Sequence, residues 1–117
     1  MGLFFGALDV YLNIVGGFRL DEPAGDLAVA LALYSALMDK PIDERTIAFG
    51  EVGLGGEIRA VSNAPQRIQE AERLGFTLCI LPKQTLRSLQ TDRYTIRLAG
   101  ASNLKEAFAI LEKERKT

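Results

Sequence analysis

The run Thr77-Leu78-Cys79-Ile80-Leu81, closed by Pro82, constrains the fold more than any other segment. Positions 78 to 81 are all apolar, so the segment has no solvent face. It reads as an interior strand, covered by other elements of the same domain. Proline ends the run because it cannot donate to a strand ladder.

The segments on either side supply that cover. Upstream, Asn63 stands as an N-cap, Pro65 falls in the first helical turn, and Gln66 is spaced for a capping box. Ile68, Ala71 and Leu74 form an apolar stripe, and Gly75 ends the helix. Downstream, Tyr94 to Leu98 reads as a last strand. Asn103 caps a final helix with Glu106 three residues on. Leu104, Ala107, Phe108 and Leu111 face its core, and residues 112–116 make a solvated, mixed-charge end.

Earlier in the chain, Leu8, Val10, Leu12 and Ile14 alternate with Asp9, Tyr11, Asn13 and Val15, as in a half-buried strand. Gly16-Gly17 breaks it. Pro23 opens a helix running to about Met38, with Asp21, Glu22 and Asp26 at the end where the helix dipole favours acids. Ala24, Leu27, Ala28, Leu31, Ser35 and Met38 follow helical spacing. Ala30, Leu33 and Leu37 make the opposite side apolar too, so the pattern predicts a helix covered all round, either by a sheet that curls around it or by a partner subunit. Lys40, before Pro41, ends it. Thr46 to Val52 is then a strand, residues 53–56 are a turn, and Glu57 to Val61 returns as the second arm of a hairpin. The predicted order is strand, helix, two strands, helix, strand, strand, helix. This is an α/β (α+β) domain, a mixed sheet with packed helices.

A chain of 117 residues is near the commonest size for one domain. With 14 basic and 15 acidic residues and a pI near 5.5, it is not a strongly basic nucleic-acid module. It holds no histidine and one cysteine, Cys79. That removes the usual general base, any Cys-His pair and the common zinc sets. Cys79 reads as a small buried core residue. No segment is long and apolar enough to predict a membrane span, and the first six residues lack the basic start of a signal peptide.

Three features invite chemical readings. The glycine-rich stretch Gly50 to Gly56 lacks the Lys-Ser or Lys-Thr pair that opens a helix in a phosphate loop, and a strand follows it, so the hairpin reading prevails. Asp21, Glu22 and Asp26 cluster as capping acids. A magnesium or acid-base site there would need carboxylates converging from elsewhere, such as Glu51 or Glu57. The basic residues Arg19, Arg59, Arg67, Arg73, Lys83 and Arg87 are scattered. Arg67 and Arg73 share one helix and Arg59 precedes it.

Two segments carry a resemblance. Residues 21–33, Asp-Glu-Pro-Ala-Gly-Asp-Leu-Ala-Val-Ala-Leu-Ala-Leu, and residues 50–59, Gly-Glu-Val-Gly-Leu-Gly-Gly-Glu-Ile-Arg, resemble the Lon protease proteolytic domain. They are still more similar to the Lon-like C-terminal domain of the bacterial RadA (Sms) family. Residues 9–17 and 68–82 resemble the same domain, so nearly the whole chain is covered. The resemblance implies a Lon proteolytic-domain-like fold, of the ribosomal protein S5 domain 2-like class. It implies residues 1–7 as linker, 8–113 as the Lon-like domain and 114–117 as a charged tail.

Lon proteases carry a serine in a Pro-Ser-Ala-Gly segment and a lysine at the start of the helix after the glycine-rich hairpin. The positions matching them here are Ala24 and Pro65. A methyl group has no nucleophilic oxygen and proline has no side-chain amine. Ser62 and Lys83 do not restore the spacing. The resemblance therefore implies a peptidase fold without peptidase chemistry, and no resident cofactor or metal in this segment.

RadA-like proteins are ATP-driven, hexameric motors of homologous recombination and branch migration. They bear a zinc finger and a RecA-type ATPase core, so ATP, magnesium and zinc are implied for a longer parent. The implied roles of this domain are a ring-forming scaffold and a DNA-contacting surface, with Arg59, Arg67, Arg73 and Arg19 as candidate contacts. Implied partners are further copies of itself, single-stranded or branched DNA, and recombinase and replication proteins. The implied location is cytoplasmic. Other readings are a Lon-type peptidase with an altered dyad, and a free-standing peptide- or ligand-binding module using the groove beside Gly50 to Leu54.

Overall fold

The computed structural model describes residues 25–115. Linker residues 1–7, the alternating segment 8–15, Arg19, Asp21, Glu22 and Ala24 lie outside the described residues, as does the end of the charged tail.

The described chain begins with helix α1 (Asp26–Leu37). Strand β1 (Thr46–Ala48) follows, then the hairpin strands β2 (Glu51–Val52) and β3 (Ile58–Arg59). Helix α2 (Ala64–Arg73) leads to β4 (Leu78–Pro82), which runs directly into the short helix α3 (Lys83–Ser88). A 3-10 turn (Thr91–Arg93), β5 (Arg97–Ala101) and α4 (Leu104–Arg115) complete it.

Strand β4 is the middle of a three-stranded sheet ordered β1-β4-β5, parallel on both sides, with Cys79 opposite Ile47 and Leu98. All five of its residues are buried, as the uninterrupted apolar run requires. The two-residue period of the strands sorts the core into two faces. Ala48, Leu78, Ile80 and Ala101 pack with Leu27 and Leu31 of α1 and Ala107 and Leu111 of α4. Ile47, Cys79 and Leu81 pack on the other face with Ala64, Ile68 and Ala71 of α2. The result is a parallel sheet between helical layers, an α/β arrangement. Each fully buried Leu or Ile contributes about 1.5–3 kcal/mol relative to exposure.

The structure departs from the sequence reading at several elements. The strand predicted over 46–52 is two strands in different sheets. The chain leaves the main sheet after Phe49, whose N–H donates to Ile80 O (3.1 Å), and Gly50 O accepts from Leu27 N (3.0 Å) at the start of α1. The last strand spans 97–101, not 94–98. Residues 91–93 take up a tight turn, and Thr95 and Ile96 are bonded to Glu72 rather than to a neighbouring strand. Helix α3 is absent from the predicted order. Pro82 stands at its N-cap in extended conformation, and its last residue, Ser88, bonds back to Thr85 O (2.7 Å). It lies close on β5, since a Cβ at Gly100 would sit 2.9 Å from Leu86 and 3.0 Å from Lys83. Glycine in that strand permits the close approach.

Helix α2 starts without the predicted cap. Asn63 is left-handed (φ 64°), and its side chain makes no capping bond, so no capping box forms with Gln66. The other end follows expectation. Gly75 has φ 94°, its N–H donates to Glu72 O, and Phe76 N donates to Ala71 O, a Schellman closure. Leu74 is 54% exposed and leaves the predicted stripe, whereas Arg67 is buried. Within the single chain, the sheet does not curl around helix α1. Leu33, Leu37 and Met38 stay exposed, because the sheet meets one face of the helix. At α4 the Asn103 cap forms as predicted, with Glu106 N donating to Asn103 Oδ1 (2.9 Å). Glu112 is not merely solvated: it accepts from Tyr34 and Lys40.

Candidate functional site

Two local arrangements hold the polar side chains that could act on another molecule. The first is the β2–β3 hairpin, with Glu51 opposite Arg59. Its turn is closed by Gly53 N to Glu57 O (2.9 Å) and Gly56 N to Gly53 O (3.0 Å). The Glu57 carboxylate folds back over the turn to accept Gly55 N (3.0 Å) and meets Arg59 at 2.7 Å, while Arg59 reaches Glu51 at 3.5 Å. Its own backbone N–H first, then the Arg59 guanidinium, holds the Glu57 carboxyl below the usual carboxylate range. Glu57, in turn, pushes the Arg59 guanidinium up. Asp26 of α1 accepts Val52 N (3.2 Å) and ties the hairpin to the helix. Glu51 and Glu57 thus converge on an arginine. Among the described residues, no three Cys, Asp or Glu side chains gather as they would around a metal ion.

The second arrangement surrounds α2. Pro65 lies in its first turn. Arg67 turns inward, and its Nε donates to Ser62 O (3.0 Å). Arg73 lies exposed at the C-terminal end and pairs with Glu70, which pushes the guanidinium up while Arg73 holds the Glu70 carboxyl down. Arg59, Arg67 and Arg73 fall on two elements. The first is on the hairpin, and the other two are six residues apart on α2, one inward and one outward. Lys83 lies 3.5 Å from Glu106 across the α3–α4 contact.

Sequence reasoning missed a groove of about 470 Å³ along α2, with Pro65 at its rim. Gln69 and Glu72 form one wall, and Leu89, Gln90, Arg93 and Tyr94 form the other. Pro65, Gln69 and Glu72 recur at helical spacing, which is the one signal in the sequence that they share a face. Glu72 is fixed by Thr95 and Ile96, whose backbone N–H groups hold its carboxyl down, Ile96 most strongly.

Cys79 is fully buried, and burial pushes its thiol up to about 12. It is a core residue, as its apolar surroundings predict, and supplies no nucleophile at neutral pH.

Comparison with known proteins places the chain. A family model described as subunit ChlI of Mg-chelatase matches residues 10–85. The chain belongs to this ChlI family. It is also similar to proteins named DNA repair protein RadA. The one from Streptococcus pneumoniae is 44% identical over 105 residues, 90% of this chain and 25% of that protein. The one from Brucella abortus is 49% identical over 81 residues, 69% of this chain and 17% of that protein. The one from Halalkalibacterium halodurans is 37% identical over 110 residues, 94% of this chain and 24% of that protein. The chain thus spans about a quarter or less of the length of these relatives.

Proposed function

We propose that this chain serves in DNA repair, as a non-catalytic scaffold and DNA-contacting domain of a longer RadA-type protein. The similarity to proteins named DNA repair protein RadA, which runs through up to 94% of this chain, carries the reading. The family description names a chelatase subunit, but the RadA matches extend over more of the chain than the 10–85 family match.

On this reading the fold is Lon-like and the peptidase chemistry is gone. Pro65 at the start of α2 offers no amine, and Ala24 has no side-chain oxygen. The parent is an ATP-driven hexameric motor of recombination and branch migration, with ATP, magnesium and zinc bound outside this segment. Single-stranded or branched DNA, other copies of the chain, and recombinase and replication proteins are its partners, in the cytoplasm. No helix of the described residues is long and apolar enough to cross a membrane.

Exposed Arg59 and Arg73 are the better DNA contacts, because Arg67 is buried and its Nε donates to Ser62 O. Charge reversal at Arg59 and Arg73 in the full-length protein should weaken binding to single-stranded and branched DNA. It should also lower the salt dependence of binding, by about one unit of log–log slope for each phosphate that is no longer neutralised. Unchanged affinity and slope would remove these residues from the interface. Specific labelling of the chain by a serine-reactive probe would favour the peptidase reading instead.

A further inference from the structure

We propose that the groove between α2 and the Leu89–Tyr94 segment binds an extended polypeptide segment of mixed charge. Its size is within the range of ligand sites, about 300–1,000 Å³. None of its lining residues belongs to the β2–β3 hairpin, so it is separate from the groove beside Gly50 to Leu54. The inference does not depend on the DNA repair reading.

The lining chemistry selects the ligand class. Glu72 uses Oε2 for Thr95 Oγ1 (2.9 Å) and Ile96 N (3.1 Å), and for Thr95 N. Its Oε1 has no partner among the described residues, so a pinned carboxylate oxygen is available at the groove. On the other wall, the exposed Arg93 guanidinium also lacks a partner among the described residues. A fixed anion and a cation thus line the same groove. The exposed amides of Gln69 and Gln90 each donate and accept, as a peptide group does. Half-buried Leu89 and Tyr94 offer apolar contact to the side chains between.

A nucleic acid strand suits this lining poorly. A pinned carboxylate repels phosphate, and a single arginine gives little of the counterion release that drives phosphate binding. A peptide with an acidic residue for Arg93, a basic residue for Glu72 and an apolar residue between them meets every group.

A phage library of random linear peptides, panned on the full chain, tests this. The expected enrichment is for an acidic and a basic residue flanking an apolar one. A synthetic peptide of the enriched sequence, followed by fluorescence anisotropy, should bind Arg93→Glu about tenfold more weakly. Replacing the acidic residue of that peptide by lysine should restore binding to Arg93→Glu. Gln90→Ala and Tyr94→Ala provide further readouts should Arg93→Glu lower the melting temperature. The proposal is overturned by absence of enrichment over panning on bare support, or by equal affinity of the peptide for all variants. It is also overturned if an oligothymidine strand binds and Arg93→Glu abolishes that binding.

Discussion

Glu72 on α2 accepts both the hydroxyl (2.9 Å) and the backbone N–H of Thr95, and so fixes the entry to β5 from a distance of 23 residues. Ile96 N adds a third bond (3.1 Å) to the same oxygen. Glu72→Ala should lower stability by about 0.5–1.5 kcal/mol in urea denaturation, since it strands donors that water only partly recovers. Glu72→Gln keeps an acceptor and should lose less. The carboxyl is held below its ordinary 4.5, so the folded state binds its proton less readily than the unfolded state. Its contribution is present above pH 4.5 and is lost as pH falls below it. In Glu72→Gln the stability–pH curve should be flatter below pH 4.5. A curve superimposable on the wild type would show that the bonds carry no net stability.

The two asparagines that precede helices should behave oppositely. Asn103 Oδ1 accepts Glu106 N (2.9 Å), and Asn103→Ala should cost about 1 kcal/mol. Asn63 makes no side-chain cap and has φ 64°, so Asn63→Gly should be neutral or stabilising. Thermal melts of both variants check the contrast, and equal losses would contradict it.

Those two positions also show how far the sequence is legible. Asn63 and Asn103 look alike, each followed by a Gln or Glu at capping-box spacing, yet only Asn103 caps. The difference lies in how the preceding chain arrives. After β5 the chain is held by Ile58 N to Ser102 O (2.9 Å) and enters α4 with the asparagine oxygen aimed at the helix. Before α2 it enters left-handed. The interior strand at 78–82 is plain in the sequence, because a run with no polar position fits only a covered site. Strand β5 is not, because Leu98-Ala99-Gly100-Ala101 has weak strand propensity and pairs only because β4 and α3 flank it. The groove is invisible in the sequence because its walls come from segments that adjoin only after folding.

Cys79 should resist alkylation and disulfide exchange in the native protein. The thiol is fully buried and pushed up to about 12, so almost no thiolate exists at neutral pH. Reaction with Ellman's reagent should follow unfolding, and its rate should rise with denaturant through the unfolding transition. Rapid stoichiometric reaction without denaturant would place Cys79 at the surface instead.

Gly53→Ala should uncouple Glu57 from Arg59. A Cβ at Gly53 falls on the Glu57 carboxyl group, which must swing away to admit it. Gly55 N then loses its acceptor, and the Arg59 guanidinium keeps only Glu51 at 3.5 Å. The hairpin remains, since Val52 and Ile58 still pair. Carbon-detected NMR titration should show the Glu57 carboxyl returning toward its ordinary 4.5. An unmoved titration would mean that the turn relaxes by another route.

Glu112 joins the end of α4 to α1 and the loop beyond it. Tyr34 Oη donates to Oε1 (3.0 Å), and Lys40 Nζ lies 3.1 Å from Oε1 and 3.0 Å from Oε2. The Tyr34 ring stacks on Phe108 with centroids 4.1 Å apart and planes 9° from parallel. Side chains of Lys40 and Glu112 remain about a third exposed (32% and 28%), so the ion pair alone contributes no more than about 1 kcal/mol and weakens with salt. The aromatic pair adds about 0.5–1.5 kcal/mol that salt does not screen. A double-mutant cycle of Tyr34→Phe and Glu112→Gln keeps the stacking and isolates the hydroxyl–carboxylate bond. A coupling of about 0.5–1.5 kcal/mol is expected. Lys40→Met should show a loss that shrinks in high salt. Zero coupling in the first cycle, with a salt-independent loss in the second, would place the stability of this corner in the rings and the lysine stem rather than in Glu112.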